Sequence, residues 1–443
     1  MKLLSTAALL LMGGLLSAPS PSADDEPSWE AILQRPGEPI ALPIPRPKLE
    51  WLGSLEEGLL LADKEQRPLF VTARCLPCKQ CADFDKSVLE AGGELDPWLR
   101  QFVTVRLTDA ALLDLRLLPI EGYQDLDLSW WGYLLSPEGS LYAIFGGRDE
   151  VSDTTRISVK ALVNTLRRVL SHHYDPRRAD WGIDRDAPSL EGRPRTVRQL
   201  PGWRSWSREA KELGACVHCH QVAEVLRQPA IEAGTFDTAS DLDMWPLPEN
   251  VGIALDRDHG LRVMSVEEDS PATKAGLRPG DVLAAADGQR LFGQADFRGV
   301  LHRGPKGSGE VAVVWKREDA VHRGRLALED GWRQTVLDWR MSVSQGNIGA
   351  GPGFFPLAAR GRRQQRGIED GTLAIEPYAP RGAAQEAGLR GSDIVIAVDD
   401  QKPDLFGRAF LVWFRRRYEP GQEIRLTVRD PRGEDREIRY VLE

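Results

Sequence analysis

The chain has no long block of basic residues. Its net charge is -9, with acids and bases mixed along its 443 residues, which argues against nucleic acid as the main partner. Long hydrophobic runs are also missing: the one apolar stretch, Leu3 to about Ala18, is short for a membrane span and is soon followed by Asp24, Asp25 and Glu26. No cysteine directly follows that stretch, so a lipid anchor has no support. No G-x-S-x-G or similar nucleophile turn occurs, so a Ser-His-Asp protease is not expected. Cysteine itself is scarce. There are five, confined to RCLPCKQC (Cys75, Cys78, Cys81) and CVHCH (Cys216, Cys219).

What is present divides the chain into segments. Residues 1–23, one lysine followed by apolar and then small residues, read as a secretory signal, so the protein is expected in the periplasm or secreted, with no permanent membrane span after cleavage. Residues 24–50 are proline-rich and read as a linker. The remaining length suggests roughly three domains, and 42% apolar with 28% charged residues is the composition of ordinary globular protein. The boundaries expected are an α/β domain over 51–174, a linker over 175–202, a helical segment over 203–248, a β-rich domain over 249–330, a linker over 331–352 and a second β-rich domain over 353–443. The fold class expected is therefore multidomain, α/β followed by mainly-β.

Within 51–174 the spacing predicts a helix starting at Ser54, where Ser54 and Glu57 form a capping box. Strands are expected at 69–73, 102–107, 132–136 and 141–145, and a closing helix over about 158–171. A cysteine at the first turn of a helix meets unpaired N–H groups and the positive helix end, which stabilise its thiolate. Cys75 holds that place, and Cys78 is one turn on, where it can resolve a mixed disulfide. LFVTARCLPCK and SPEGSLYAIFGG resemble the thioredoxin-like superfamily over about 120 residues. The resemblance implies an α/β sandwich with Cys75 as nucleophile and Cys78 as resolver. Arg74 replaces the family's usual tryptophan, and Ser129-Trp130-Trp131-Gly132 stands where the family has a threonine and a cis-proline. A structural disulfide, or a metal held by Cys75, Cys78 and Cys81, remain alternatives.

C-x-x-C-H is the spacing by which two thioethers and a following axial histidine hold c-type haem, so Cys216, Cys219 and His220 are candidates to bind haem c, His220 on its iron. Met244 is a candidate sixth ligand and equally a core methionine. A Cys216–Cys219 disulfide, or zinc held with His218 and His220, are the alternatives, and no cofactor at all is the other outcome.

Beyond residue 248 the sequence repeats itself: AGLRPGDVLAAADGQ (275–289) aligns with AGLRGSDIVIAVDDQ (387–401), and LFG follows each copy. The first copy, from NVGIAL through the helix ADFRGVLHR, resembles a bacterial PDZ domain in the order found in periplasmic proteases and their relatives, and the second resembles it from Ala379 onward. The resemblance implies β-sandwich or barrel domains that bind a peptide or chain terminus as an added strand. Asn250, Val251, Gly252 and Ile253 would form the carboxylate loop, and Phe297 and Leu301 would face the groove. Both copies are alternatively plain packing units. GWRQTVLDWR, between them, has two tryptophans seven apart and no assigned chemistry beyond packing.

The function these signals together imply is an exported thiol–disulfide and electron-transfer protein with haem c and peptide-capturing domains, a possible oxidoreductase and not a protease. A non-catalytic adaptor that binds protein termini is the alternative.

Overall fold

The structure is a computed structural model; it describes residues 27–35, 39–74, 79–90, 92–120, 122–127, 130–146, 158–184, 188, 190–210, 217–344, 354–377, 380 and 382–442. The expected signal segment, together with Cys75, Cys78 and Cys216, lies outside them.

The first sheet contains β1 (Trp51–Leu52), β2 (Leu69–Ala73), β3 (Val103–Leu107), β4 (Trp131–Leu135) and β5 (Leu141–Gly146) in the order β1-β3-β2-β4-β5. β3 pairs parallel with β1 and β2, and β4 pairs antiparallel with β2 and β5. LFVTA is buried at all five positions because both faces of its strand are covered. On one face lies the helix Leu55–Glu65, whose first turn is tied by the Glu57 N–H donating to Ser54 Oγ at 3.3 Å. Gly58 lets this helix approach the sheet, since a Cβ there would run into Val105. Val222 and Val225 of the helix Cys219–Glu232 join the same apolar cluster. The other face is covered by the helix Val159–His173, whose Leu162, Leu166, Val169 and Leu170 pack with Phe70, Phe102 and Trp130.

The two repeats each build a sheet. The first has β6 (Ile253–Leu255) paired with β7 (Val263–Val266), then β8 (Val282–Ala286), β9 (Gln289–Arg290), β10 (Gly309–Arg317) and β11 (Ala320–Leu328) in the order β11-β10-β8-β9. The second has β12 (Phe354–Leu357), β13 (Ile375–Pro377), β14 (Ile394–Val398), β15 (Glu423–Arg429) and β16 (Asp435–Val441) in sequence order. The repeated residues do the same work in both. Asp281 accepts the Arg278 N–H and Asp393 the Arg390 N–H, each at 2.8 Å, and each buried carboxylate is paired with an arginine, Arg317 or Arg436. These pairs fix the turn that launches β8 and β14.

Buried charge joins the first sheet to the first repeat. Asp125, in the loop before β4, accepts from Arg340 at 2.7 and 2.9 Å and from Arg298 at 2.8 Å. Asp127 accepts from Arg340 at 3.1 Å and from the Ser342 hydroxyl at 2.6 Å. Burial pushes the Asp125 carboxyl up, and the Arg340 and Arg298 guanidiniums overcome this and hold it below the ordinary carboxylate range. The free edge of β5 is also covered from the repeat: the Ile144 N–H donates to Asp296 Oδ1 at 2.9 Å.

Several partly buried histidines are held neutral. Burial, reinforced by Arg333, depresses His302 to about 3; burial depresses His259 and His173 each to about 4. An unfolded histidine takes its proton near 6.5, so between that pH and 3–4 the unfolded chain holds more protons than the native one. Stability should fall as pH drops through this window, by at most about 1.4 kcal/mol per pH unit for each histidine. Urea midpoints measured from pH 7 to 4 check this, and His302→Gln should flatten the slope. A midpoint independent of pH over the window would show the three imidazoles to be freely protonated in the folded state.

Candidate functional site

The site is built around β6. Pro248–Val251 form one 3-10 turn that ends at Gly252, whose φ of 80° is left-handed. A side chain at Gly252 would be strained by that φ and would also collide with Ser270, so glycine is required there. Ser270 is fixed in turn as the N-cap of the helix Pro271–Ala275, accepting the Thr273 N–H at 3.2 Å and donating to Glu267 O at 2.7 Å.

The hydrogen-bond parity of β6 follows from its ends. Glu267 N donates to Gly252 O at 2.9 Å and Asp256 N donates to Arg262 O at 2.8 Å, so even-numbered residues face β7. Ile253 and Leu255 then stand at positions whose own N–H and C=O turn away from it. β6 pairs with β7 alone among the described strands. The result is an unpaired strand edge in a domain whose core the strand shares with the helix Gln294–Arg303.

The expected site residues are placed as follows. Val251 and Ile253 are fully buried in the core of the first repeat, and so are Phe297 and Leu301 of the adjacent helix. Their side chains hold the groove's floor together. The Gly252 N–H is already spent on Glu249 O at 3.0 Å, within the turn. Asn250 is occupied as well: its Oδ1 accepts the Leu247 N–H at 3.0 Å, and its Nδ2 donates to Trp332 O and Gln334 O, both at 2.8 Å.

Trp332 belongs to the unassigned GWRQTVLDWR segment. Its indole N–H is shared between Pro305 O and Gly307 O at 3.2 Å, and its ring joins the core beside the groove. Arg333, 1% exposed, donates to Leu301 O at 3.1 Å and His302 O at 2.8 Å at the end of the helix, and to Asp243 O at 3.0 Å. A cation on the last carbonyls of a helix is favourably placed. Residues 332–334 therefore close the groove over the helix C-terminus and Asn250. At its other end, Asn164 donates to Asp258 O at 2.9 Å and Arg168 to His259 O at 2.8 Å, from the helix that covers the first sheet. This closure was not visible from the repeat motif, because its partners lie about 80 residues apart.

Of the cysteine motifs, Cys81 lies in the helix Lys79–Phe84, and Cys219 and His220 begin the helix Cys219–Glu232. Met244 sits in an apolar cluster with Leu242, Trp245, Leu337 and Val343, its sulfur 3.7 Å from the Ser342 hydroxyl oxygen. That is the environment of a core methionine. Among the described residues no three His, Cys, Asp or Glu side chains gather as a metal-holding set.

Known proteins resemble part of this chain. Residues 249–327 match the PDZ domain family. A protein of Halomonas elongata named probable periplasmic serine endoprotease DegP-like is 29% identical over 154 residues, which is 33% of this chain and 30% of the relative. Proteins of the same name are 22% identical in Brucella suis, over 41% of this chain and 34% of theirs, and 31% identical in Pseudomonas savastanoi, over 35% and 32%. The chain thus spans about a third of the length of these curated relatives.

These names correct two expectations. The relatives are called serine endoproteases, so the reading as a thiol–disulfide and haem electron-transfer protein falls, and so does the setting aside of proteolysis. The first had rested on two short cysteine motifs and the second on the lack of one nucleophile turn. Nothing in the relatives' names brings a haem with it. The expected location holds: the relatives are periplasmic proteins, and no helix among the described residues is long and apolar enough to cross a membrane. The architecture is mixed α/β and multidomain with PDZ-like β-sheet domains. Residues 249–327 are a PDZ domain, within a chain related to periplasmic DegP-like proteins.

Proposed function

We propose that this chain recognises polypeptides in the periplasm, taking an extended segment of another protein as an added strand on β6. The observation that carries this is the unpaired edge formed by the backbone of Ile253 and Leu255, in a domain of the PDZ family. Main-chain hydrogen bonds along that edge supply affinity. In this reading the domain divisions are those expected from the sequence, with a thioredoxin-like layer over 51–174, supported by its strand order, that serves as a platform for the PDZ domain. Fluorescence anisotropy with a labelled peptide of apolar C-terminus tests the proposal directly. Saturable binding that unlabelled peptide competes away is expected; anisotropy that never rises with protein would refute it.

A second reading, cutting of the captured polypeptide, is favoured by the names of the relatives. Incubation with casein and labelling by a serine-directed fluorophosphonate separate the two. Casein fragments together with a labelled band support cleavage, and intact casein with no label leaves recognition alone.

A further inference from the structure

A cavity of about 430 Å³ lies between the first sheet and the first repeat, and the peptide reading makes no use of it. Its wall is shared. Tyr142 of β5, His172 of the covering helix and Asp184 of the following connector face Asp287, Arg290 and Arg303 of the PDZ domain.

Hydrogen bonds settle the protons on this wall. Arg290 Nη1 lies 2.8 Å from His172 Nδ1, and His172 Nε2 lies 2.6 Å from Asp184 Oδ1. A guanidinium only donates, so Nδ1 accepts, Nε2 carries the hydrogen, and the imidazole is neutral. Asp184 is also taken by Arg178. Asp175, the other acid whose charge acts on Arg290, is held by Arg177 at 2.9 and 2.6 Å. Asp287 accepts the Ala312 N–H at 2.8 Å.

Arg290 is the group left over. Among the described residues its partners are that neutral imidazole and the rings of Trp181 and Phe292, at 5.3 and 5.5 Å. Among the described residues most of its N–H donors have no acceptor, although a guanidinium offers a planar fork that matches a carboxylate. Burial lowers it to about 10, as it does for a cation short of a counter-charge. Leu141, Ile183, Phe292 and Val300 give the wall an apolar part, beside Gln289.

We propose that this cavity binds a small organic monocarboxylate, its carboxylate on the Arg290 fork and its apolar body against Ile183, Phe292 and Val300. Isothermal titration of the full chain with sodium benzoate, and separately with sodium phosphate, tests this. Benzoate is expected to bind, with phosphate weaker because a tetrahedral anion without an apolar body gains nothing from that wall. Arg290→Gln should weaken benzoate by about tenfold or more. Ile183→Trp, which leaves the hydrogen-bonded cluster untouched and fills the space, should abolish binding, and it decides the matter if Arg290→Gln does not fold. No benzoate heat at millimolar concentration, phosphate binding as tightly as benzoate, or benzoate binding unchanged in a folded variant would each overturn the proposal.

Discussion

Asp125→Ala should lower folding stability by about 3–5 kcal/mol, read as a large fall in the urea midpoint. The carboxylate is buried between Arg298 and Arg340, which are themselves buried, and it accepts three of their N–H groups at 2.7–2.9 Å. Bringing three charged groups out of water is costly, and their mutual attraction offsets this only while the geometry is complete. Among the described residues, removal of the one acid leaves Arg298 with no hydrogen-bonded carboxylate and Arg340 with Asp127, at 3.1 Å. The chain joins its first sheet to the PDZ domain here, so limited proteolysis should find the loops of that junction opened first. Asp125→Asn, which keeps the shape and some acceptor capacity, should cost less. A loss below about 1 kcal/mol for the alanine variant would mean that water reaches the cluster and that the two units are not locked through it.

Phe297→Ala should cost about 3–5 kcal/mol as well, for a different reason. The ring is fully buried among Val251, Ile253, Leu301 and Trp315, and its removal leaves a cavity that rigid strands cannot fill. Peptide affinity should fall along with stability, because the floor of the groove is the core of the domain. If the side chain were a surface contact for ligand only, affinity would fall while the urea midpoint stayed put. Phe297→Leu separates the contributions: most of the stability should return, and with it most of the binding.

Much of the layout could be read from the chain because it is decided locally. The Ser54 cap, the strand LFVTA, the helix after Ser158 and the repeated turn before β8 and β14 depend on residues within a few positions of one another. The closing helix runs from Val159 to His173, two residues past its expected end. The tandem copies were legible for the same reason, and the first coincides with the PDZ domain.

The segment least understood from sequence proved to hold the most. GWRQTVLDWR supplies Trp332 and Arg333, which close the groove, and Arg340, which locks the PDZ domain to the first sheet. No local pattern announces this, since each residue acts on partners tens to hundreds of positions away. Asn250 illustrates the converse: the motif places it in the expected carboxylate loop, and its side chain ties that loop to Trp332 and Gln334. The cysteine motifs drew attention through spacing alone, and spacing within eight residues says little about what surrounds a thiol in a folded chain.

Strand addition at β6 is most directly tested by a pair of peptides with the same side chains, one bearing an N-methyl group on the amide that would donate across the edge to Ile253 or Leu255. Titrated into the full chain, the unmodified peptide should bind and its methylated twin should bind about tenfold more weakly or worse, for want of one ladder hydrogen bond and the room to make it. Equal affinity for the two would contradict the account, because recognition would then owe nothing to the open edge of the strand.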